Sequence, residues 1–288
     1  GGVLVGQGMA TAILPAYRFP AAARVSIDRS GRILVETGTQ DVGQGLSTVL
    51  PQIAADALGV PVARVALALG DTALPTAPFT GASSATMSVG PAVQDAAAKL
   101  RRRLVEAGAN GPEGYEGALA ALGRESLSAE GEWSPGDAAE SPAIYSFGAI
   151  FAEVRVDPDI PIPRVGRIVA CYSAGRIINP RTARSQMTGG IIWGIGQALL
   201  ERSEMDARLG RFVSKNLSGY LVPANADIPE IDVSFVEEVD PHAGPLGARG
   251  IGELGAIGVA PAIANAVFDA TGVRVREVPI RPEHLPVG

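Results

Sequence analysis

The chain has 288 residues, of which 47% are hydrophobic and 19% charged, and its formal net charge is −6 at pH 7. These values indicate a soluble globular protein of one large domain or two smaller ones. They exclude a charge bias toward nucleic acids or acidic membrane surfaces, and no apolar run approaches the length of a membrane span. We therefore expect no nucleic-acid partner and no membrane partner.

Cysteine and histidine are scarce in this chain. Cys171 is the single cysteine, which rules out an internal disulfide, and its place in an apolar strand pattern predicts a buried thiol. With only His242 and His284, a zinc or iron site built from His and Cys side chains is not expected. We predict no metal ligand from the protein.

The first half of the chain predicts the element order β-β-α-β-α. Period-two alternation at residues 24–28 and 32–37 predicts a hairpin, and apolar spacing at 46–58 predicts a helix. Pro51 lacks the N–H that a helix begun at Gly45 would need, so the helix either starts near Thr48 or is kinked. A strand at 65–69 and a helix at 89–104 follow.

The second half repeats this order. A second hairpin is predicted at residues 150–156 and 167–172, and Asn179 caps a helix with Pro180 at its first position. A strand at 231–235 and a helix after Glu253 complete the set. The prediction is an α+β fold of two similar β-β-α-β-α subdomains, at residues 1–110 and 146–288, with a surface connection at 111–145.

The segment 247–254 carries the most informative residue of the chain. Glu253 lies among Gly247, Gly250 and Gly252 and just ahead of an apolar run at helical spacing. This pattern predicts a carboxylate at the mouth of a helix N-terminus. Such a Glu either complements the helix dipole or performs chemistry at a ligand that the glycines allow to approach.

Three further elements are candidates for ligand binding. Gly43, Gln44 and Gly45 lead into a helix, as in anion-binding loops, but the pattern also fits a tight turn and lacks the full dinucleotide-binding fingerprint. The loop 79–86 has four hydroxyl side chains before a helix, of which capping explains one. Gln186, with several glycines nearby, is either a satisfied core amide or a ligand-binding amide.

Taken together, the motifs resemble those of a known enzyme family. Residues 38–45, 70–84, 179–190 and 247–253 are similar, in order and spacing, to the large subunit of the xanthine dehydrogenase and aldehyde oxidase family. The resemblance spans nearly the whole chain and is greatest to bacterial periplasmic aldehyde oxidoreductases. It implies one molybdenum-cofactor-binding domain, in a hydroxylase that oxidises aldehydes or N-heterocycles with water-derived oxygen.

The resemblance also implies roles for individual residues. Glu253 matches the general base of the family, and the metal is held by the dithiolene of molybdopterin rather than by side chains. Bacterial members generally use the cytosine dinucleotide form of this cofactor. The positions that match cofactor-binding residues are Gly43, Gln44, Gly45, Thr80, Ser83, Ser84, Gln186 and Gly252.

One departure from the family concerns length. The large subunit is much longer, and its preceding portion supplies another cofactor loop, most of the substrate funnel and contacts to the iron–sulfur subunit. We therefore expect this chain to hold half a site and to be inactive alone. Its implied partners are the remaining N-terminal portion of the large subunit, the iron–sulfur subunit and the FAD subunit, in a bacterial periplasm or cytoplasm. The chain opens on Gly1-Gly2-Val3, and we expect no signal peptide within it.

Two alternatives stay open at this point. A dinucleotide-binding dehydrogenase domain explains glycine loops before helices, but it needs β-α-β units, whereas each half here begins with a hairpin. A non-catalytic fragment or interaction module without bound cofactor needs no Glu253. Bound molybdenum, bound NAD or neither would separate the three interpretations.

Overall fold

The computed structural model describes residues 2–136 and 142–285 and shows a mixed α/β fold with several sheets. The strands are β1 Leu4–Pro15, β2 Ala21–Asp28, β3 Ile33–Glu36, β4 Val65–Ala68, β5 Ser126–Trp133, β6 Tyr145–Val156, β7 Pro163–Ser173, β8 Met205–Asp206, β9 Arg211–Phe212 and β10 Glu230–Phe235. The helices are α1 Leu46–Leu58, α2 Ala85–Glu106, α3 Tyr115–Ala121, α4 Pro180–Leu199 and α5 Val259–Thr271. None of these helices combines the length and the apolar character that crossing a membrane requires.

One four-stranded sheet has the order β4-β3-β2-β5. The predicted hairpin is confirmed, since β2 and β3 pair antiparallel around Gly31, whose φ is 78°. Strand β4 returns parallel to β3 after α1. Alternate residues of β2, among them Val25 and Ile27, are buried in a core with Leu50 of α1 and Leu100 of α2.

The other four-stranded sheet has the order β1-β6-β7-β10. Strands β6 and β7 form the second predicted hairpin, and β10 lies parallel to β7. Asn179 caps α4 as expected, because its side chain accepts hydrogen bonds from the N–H groups of Arg181 and Thr182. Helices α4 and α5 contribute Ile191 and Ile263 to the core of this sheet.

The predicted division of the chain into subdomains is wrong in two places. Strand β1, within residues 1–110, pairs with β6 and therefore belongs to the sheet of the second half. The expected surface connection at 111–145 contains α3, with Tyr115 buried, and β5, which pairs with β2. Both strands contain glycines, which hide the alternation of apolar and polar side chains. These glycines let the strands approach helices closely, since a Cβ at Gly8 would lie 2.3 Å from the carbonyl oxygen of Ala262 in α5.

Helix α1 begins at Leu46 and includes Pro51, so the alternative start near Thr48 is wrong. Its N-terminus is supported by Asp41, whose carboxylate accepts hydrogen bonds from the N–H groups of Gly43 at 2.9 Å and Ser47 at 2.7 Å. These bonds satisfy N–H groups that have no partner within the helix. The loop before α1 thus fixes where the helix starts.

Cys171 is exposed, which corrects the prediction of a buried thiol. The neighbours of Cys171 in β7, Ala170 and Tyr172, are buried in the core that the helices cover, so Cys171 lies on the opposite face of the sheet. The strand pattern was identified correctly, but the sequence alone did not assign which of its two faces is covered.

Candidate active site

The loops that precede α1, α2, α4 and α5 meet around a cavity of about 290 Å³. Each loop enters a helix at the same side of the molecule, which brings motifs separated by up to two hundred residues together. Seven of the nine residues predicted for the site line this cavity. They are Gln44, Thr80, Ser83, Ser84, Gln186, Gly252 and Glu253. Gly43 and Gly45 flank Gln44 without being part of the wall.

Glu253 lies at the rim with its side chain exposed. It is not at a helix mouth, as the sequence indicated, because α5 begins only at Val259, after Gly258 at φ 87°. The first turn of α5 has no acidic residue, so the helix dipole does not account for Glu253. The turn 252–258 packs tightly on α4 instead; a Cβ at Gly255 would lie 2.7 Å from the carbonyl oxygen of Met187.

The carboxylate of Glu253 is bound by Ser83. The hydroxyl of Ser83 donates to Oε2 of Glu253 at 2.8 Å, and the backbone N–H of Glu253 donates to the same hydroxyl at 3.0 Å. Within the part of the chain that the structure describes, no protein donor contacts Oε1. One carboxylate oxygen is therefore held, and the other is available at the cavity rim.

Gln186 of α4 supports the same turn. Its Nε2 donates a hydrogen bond to the carbonyl oxygen of Gly252 at 2.8 Å, and the side chain is half-buried at the cavity wall. The amide nitrogen thus positions the residue before Glu253. Gln186 holds the backbone of the turn while facing the cavity.

The loop before α1 is closed by its own residues. Gln44 lines the cavity, but its amide donates to the carbonyl oxygen of Gln40 at 3.0 Å and accepts from the N–H of Val42 at 2.7 Å. Partial burial of Asp41 opposes its ionisation, but hydrogen bonds from Ser47, Gly43 and Gly45 outweigh this and lower the pKa of Asp41 to about 2. A charged Asp41 therefore organises the loop.

The other two predicted hydroxyls also bond within the protein. Thr80 donates to the carbonyl oxygen of Gln40 at 2.7 Å, which ties the loop before α2 to the loop before α1. Ser84 is fully buried and donates to the carbonyl oxygen of Gly81 at 2.8 Å. Both hydroxyls shape the wall through loop contacts.

Arg249 is a site residue that the sequence interpretation missed. Its largely buried side chain donates to the carbonyl oxygen of Tyr145 at 2.7 Å and to the hydroxyl of Ser173 at 2.8 Å, and it pairs with Glu238. Burial opposes ionisation of Glu238, but bonds from Ser173, Gly175 and Arg249 lower the pKa of this carboxyl. The only sequence hint was a lone Arg in a glycine motif, eleven residues after an acidic one.

Among the described residues, no group of three or more His, Cys, Asp or Glu side chains could hold a metal ion. The wall consists of loop backbone, small side chains, hydroxyls and amides, and its charged members are Glu253, Arg249 and Arg176. Its larger apolar members are Val42, Val49, Ile177, Ile178 and Ile251. Such a wall offers hydrogen bonds to a polar organic ligand.

Comparison with known proteins identifies this arrangement. A family model described as a molybdopterin cofactor-binding domain matches residues 1–229. The aldehyde oxidoreductase molybdenum-binding subunit PaoC of Escherichia coli K12 is 39% identical over 98% of this chain and 40% of its own length. The putative xanthine dehydrogenase molybdenum-binding subunit XdhA of the same organism is 32% identical, over 92% of this chain and 39% of its own length.

The fold is also that of a solved oxidoreductase. Quinoline 2-oxidoreductase from Pseudomonas putida 86 superposes with a TM-score of 0.87 at 27% identity, over 98% of this chain and 41% of that chain. The chain thus spans about two fifths of the length of the relatives that it matches. Since the family model covers well over half of the sequence and the motif resemblance is confirmed by these relatives, the chain belongs to the molybdopterin cofactor-binding domain family, in the xanthine dehydrogenase and aldehyde oxidase group.

Proposed function

We propose that this chain is the cofactor-binding portion of a molybdenum hydroxylase that oxidises aldehydes or N-heterocycles, with Glu253 as the general base. The observation that carries the proposal is the place of Glu253: it lies on the wall of the cavity where four helix-preceding loops converge, with its carboxylate oriented by Ser83. The names of PaoC and quinoline 2-oxidoreductase support aldehydes as the first substrate class and N-heterocycles as the second.

The residues of the cavity fit a molybdenum–molybdopterin cofactor. The wall offers to a pterin the loop Thr80–Ser84 and the second amide N–H of Gln44 and of Gln186, since each amide makes one internal N–H bond. When bound, this cofactor supplies the metal, the two-electron oxidation and the water-derived oxygen. We propose its cytosine dinucleotide form, on the resemblance to bacterial members.

The role proposed for Glu253 is proton acceptance. Oxidation of an aldehyde by the bound cofactor, with oxygen taken from water, gives a carboxylic acid and two protons and transfers two electrons to the cofactor, so a base at the reacting oxygen lowers the barrier. Ser83 holds Oε2 of Glu253, which leaves Oε1 at the rim to accept the proton. The two electrons must leave the site, and we propose that they pass to iron–sulfur and FAD partner subunits.

We also propose that the remaining portion of the large subunit completes the site. A cavity of about 290 Å³ lies at the lower end of the range for small-molecule sites, while the relatives are more than twice as long as this chain. The outer face of the β1–β6 pair exposes Met9, Ile13, Phe147 and Phe151, which is an apolar surface for further contacts. The proposed setting is a bacterial periplasm or cytoplasm.

Two similar structural units are a further part of this proposal. Each unit has the predicted β-β-α-β-α order, plus a fourth strand that lies beside the first strand of the hairpin. That fourth strand carries a glycine against an alanine-rich helix in both cases: a Cβ at Gly131 of β5 would lie 2.2 Å from the carbonyl oxygen of Ala92 in α2, and Gly8 of β1 approaches α5 in the same way. The shared packing supports a repeated unit. Its fourth strand follows the helices in the first unit, as β5, and precedes the hairpin in the second unit, as β1.

The test is a pair of variants in the complete enzyme. Glu253→Gln keeps the shape of the side chain but cannot accept the proton, so we expect kcat to fall on the order of 10²-fold or more with molybdenum content unchanged. Gln186→Ala removes the hydrogen bond to Gly252 and an amide of the cofactor wall, so molybdenum content should fall first and activity in proportion. Fully loaded Glu253→Gln enzyme that turns over at the parent rate would overturn the proposal.

A further inference from the structure

We propose that Ser83 is a positioning residue that fixes the carboxylate of Glu253, rather than mainly a cofactor-binding hydroxyl as the family resemblance implies. The inference rests on the proposed role of Glu253 as the base. One hydroxyl both donates to Oε2 of Glu253, at 2.8 Å, and accepts from the N–H of the same residue, at 3.0 Å. This closed ring restrains the side-chain torsions of Glu253 to one arrangement.

The backbone at Ser83 has an uncommon conformation that supports this role. Ala82 and Ser83 have φ values of 51° and 53°, in the left-handed region that side chains other than glycine rarely adopt. Such conformations persist where surrounding contacts hold them, and they are concentrated at functional sites. Here Ser84 stabilises the backbone conformation of Ala82 and Ser83, because both its N–H and its hydroxyl donate to the carbonyl oxygen of Gly81.

The glycines of the 250–252 motif are explained by the approach of Ser83. A Cβ at Gly250 would lie 2.2 Å from the carbonyl oxygen of Ser83, and a Cβ at Gly252 would lie 2.9 Å from its hydroxyl oxygen. The backbone contact at Gly250 could not be relieved by a side-chain rotation. The motif therefore provides room for the serine loop, and its glycines serve the Ser83–Glu253 contact directly.

The contact also joins the two cores of the molecule. Ser83 precedes α2, which packs on the β4-β3-β2-β5 sheet, whereas Glu253 precedes α5, which packs on β1 and β6. Neighbouring bonds fasten the same junction, since the N–H of Gly250 donates to Sδ of Met87 in α2 at 3.0 Å and the hydroxyl of Ser146 in β6 donates to the carbonyl oxygen of Gly250 at 2.8 Å. The orientation of the proposed base is thus set by the packing of one core on the other.

The test begins with Ser83→Ala in the complete enzyme. We expect kcat to fall about 10-fold, because a hydrogen bond to a charged group is lost. KM should stay near the parent value, because Ser83 acts on the base and not on the bound substrate. Molybdenum content should be unchanged. Ser83→Gly should give the same loss of kcat, since it also lacks the hydroxyl but adopts the positive φ without strain.

The matched control is Ser88→Ala in α2. Ser88 is buried and its hydroxyl donates to the carbonyl oxygen of Ser84 at 2.9 Å, but it makes no contact with Glu253. This variant should lower the unfolding temperature and leave kcat at the parent value. A kcat that stays at the parent value in Ser83→Ala, or one that falls equally in Ser88→Ala, would overturn the positioning role.

A second readout does not depend on turnover. The ¹³C signal of the Glu253 carboxyl, assigned by its loss in Glu253→Gln, is recorded at pH 7 in this chain prepared without cofactor. Its chemical shift should move in Ser83→Ala and Ser83→Gly, because the carboxylate has lost its hydrogen-bond donor, and should stay in place in Ser88→Ala. If it moves while Glu253→Gln enzyme keeps the parent rate, the proposed function fails and the positioning contact stands. If it does not move, the positioning contact fails.

Discussion

The loop before α1 and the turn that carries Glu253 line the same cavity but are held in opposite ways. Asp41 and Gln44 close the first loop through bonds to residues at most six positions away. Glu253 is held by Ser83, which is 170 positions away, and its turn is further fastened by Gln186 and Arg249. Apart from the hydrogen bond from Thr80 to Gln40, the first loop is held by residues nearby in sequence, whereas the turn exists only when both cores have formed.

The largest expected loss of stability comes from a change in the segment that leads into the turn of Glu253. Arg249→Met removes a buried guanidinium and leaves Glu238 and Asp240 without their cation. Breaking a buried ion pair at one partner should lower the free energy of unfolding by about 3–5 kcal/mol, as measured by urea denaturation at pH 7. The double variant with Glu238→Gln should recover part of this loss.

The control for this prediction is an exposed ion pair. Arg29 contacts Glu125 at 3.0 Å, with side-chain exposures of 48% and 84%. Arg29→Met should change the free energy of unfolding by about 1 kcal/mol or less, because solvent screens such pairs. A loss in Arg249→Met no larger than that in Arg29→Met would show that the turn is not held by its buried charges.

The next largest effect on stability is expected to differ between two adjacent glycines of α4. A Cβ at Gly190 would lie 2.7 Å from the backbone N of Ala256, in the turn after Glu253, whereas a Cβ at Gly189 would meet no atom within 4 Å. Gly190→Ala should therefore lower the free energy of unfolding by about 1–3 kcal/mol through overpacking. Gly189→Ala should raise it by about 0.5–1 kcal/mol, because alanine favours a helix interior. The check is thermal unfolding of both variants. Changes of the same sign in their free energies of unfolding would contradict the close packing of α4 on the turn.

The smallest effect belongs to the locally closed loop. Asp41→Asn removes the charge that accepts the N–H bonds at the start of α1, and we expect a loss of about 1–2 kcal/mol at pH 7. The pKa of Asp41 is lowered to about 2 in the folded protein, so its contribution is present above about pH 4, the unfolded value, and is lost as the pH falls through about 2. The difference between parent and variant, measured by denaturation along this range, should shrink toward pH 2. A constant difference would assign the loss to shape rather than charge.

Much of the fold could be predicted because its signals are local. The two hairpins and the cap at Asn179 are confirmed by the structure. Strands β1 and β5 were missed because each pairs with a strand about a hundred residues away or more, and because Gly8 and Gly131 replace the side chains that would have shown alternation. The glycines are explained only by the helices that lie against them.

In the site, too, features set by neighbouring residues could be predicted, whereas contacts between distant segments could not. Motif order identified the loops that meet at the cavity, since each motif precedes a helix. The partners within the site could not be inferred, because the bond between Ser83 and Glu253 and the contacts of Arg249 join segments that only the packed cores bring together. The predicted helix mouth at Glu253 is wrong for a local reason, since Gly258 delays the start of α5.

The exposed sulfur of Cys171 makes this chain suited to fluorescence and spin-label work. It is the only cysteine in the sequence, it lies on the uncovered face of β7 between Ala149 and Ser234, and it does not line the cavity. A maleimide dye would therefore attach at one defined point, without removal of competing thiols and without touching the residues proposed for chemistry. A probe there would report when another polypeptide covers the outer face of the sheet.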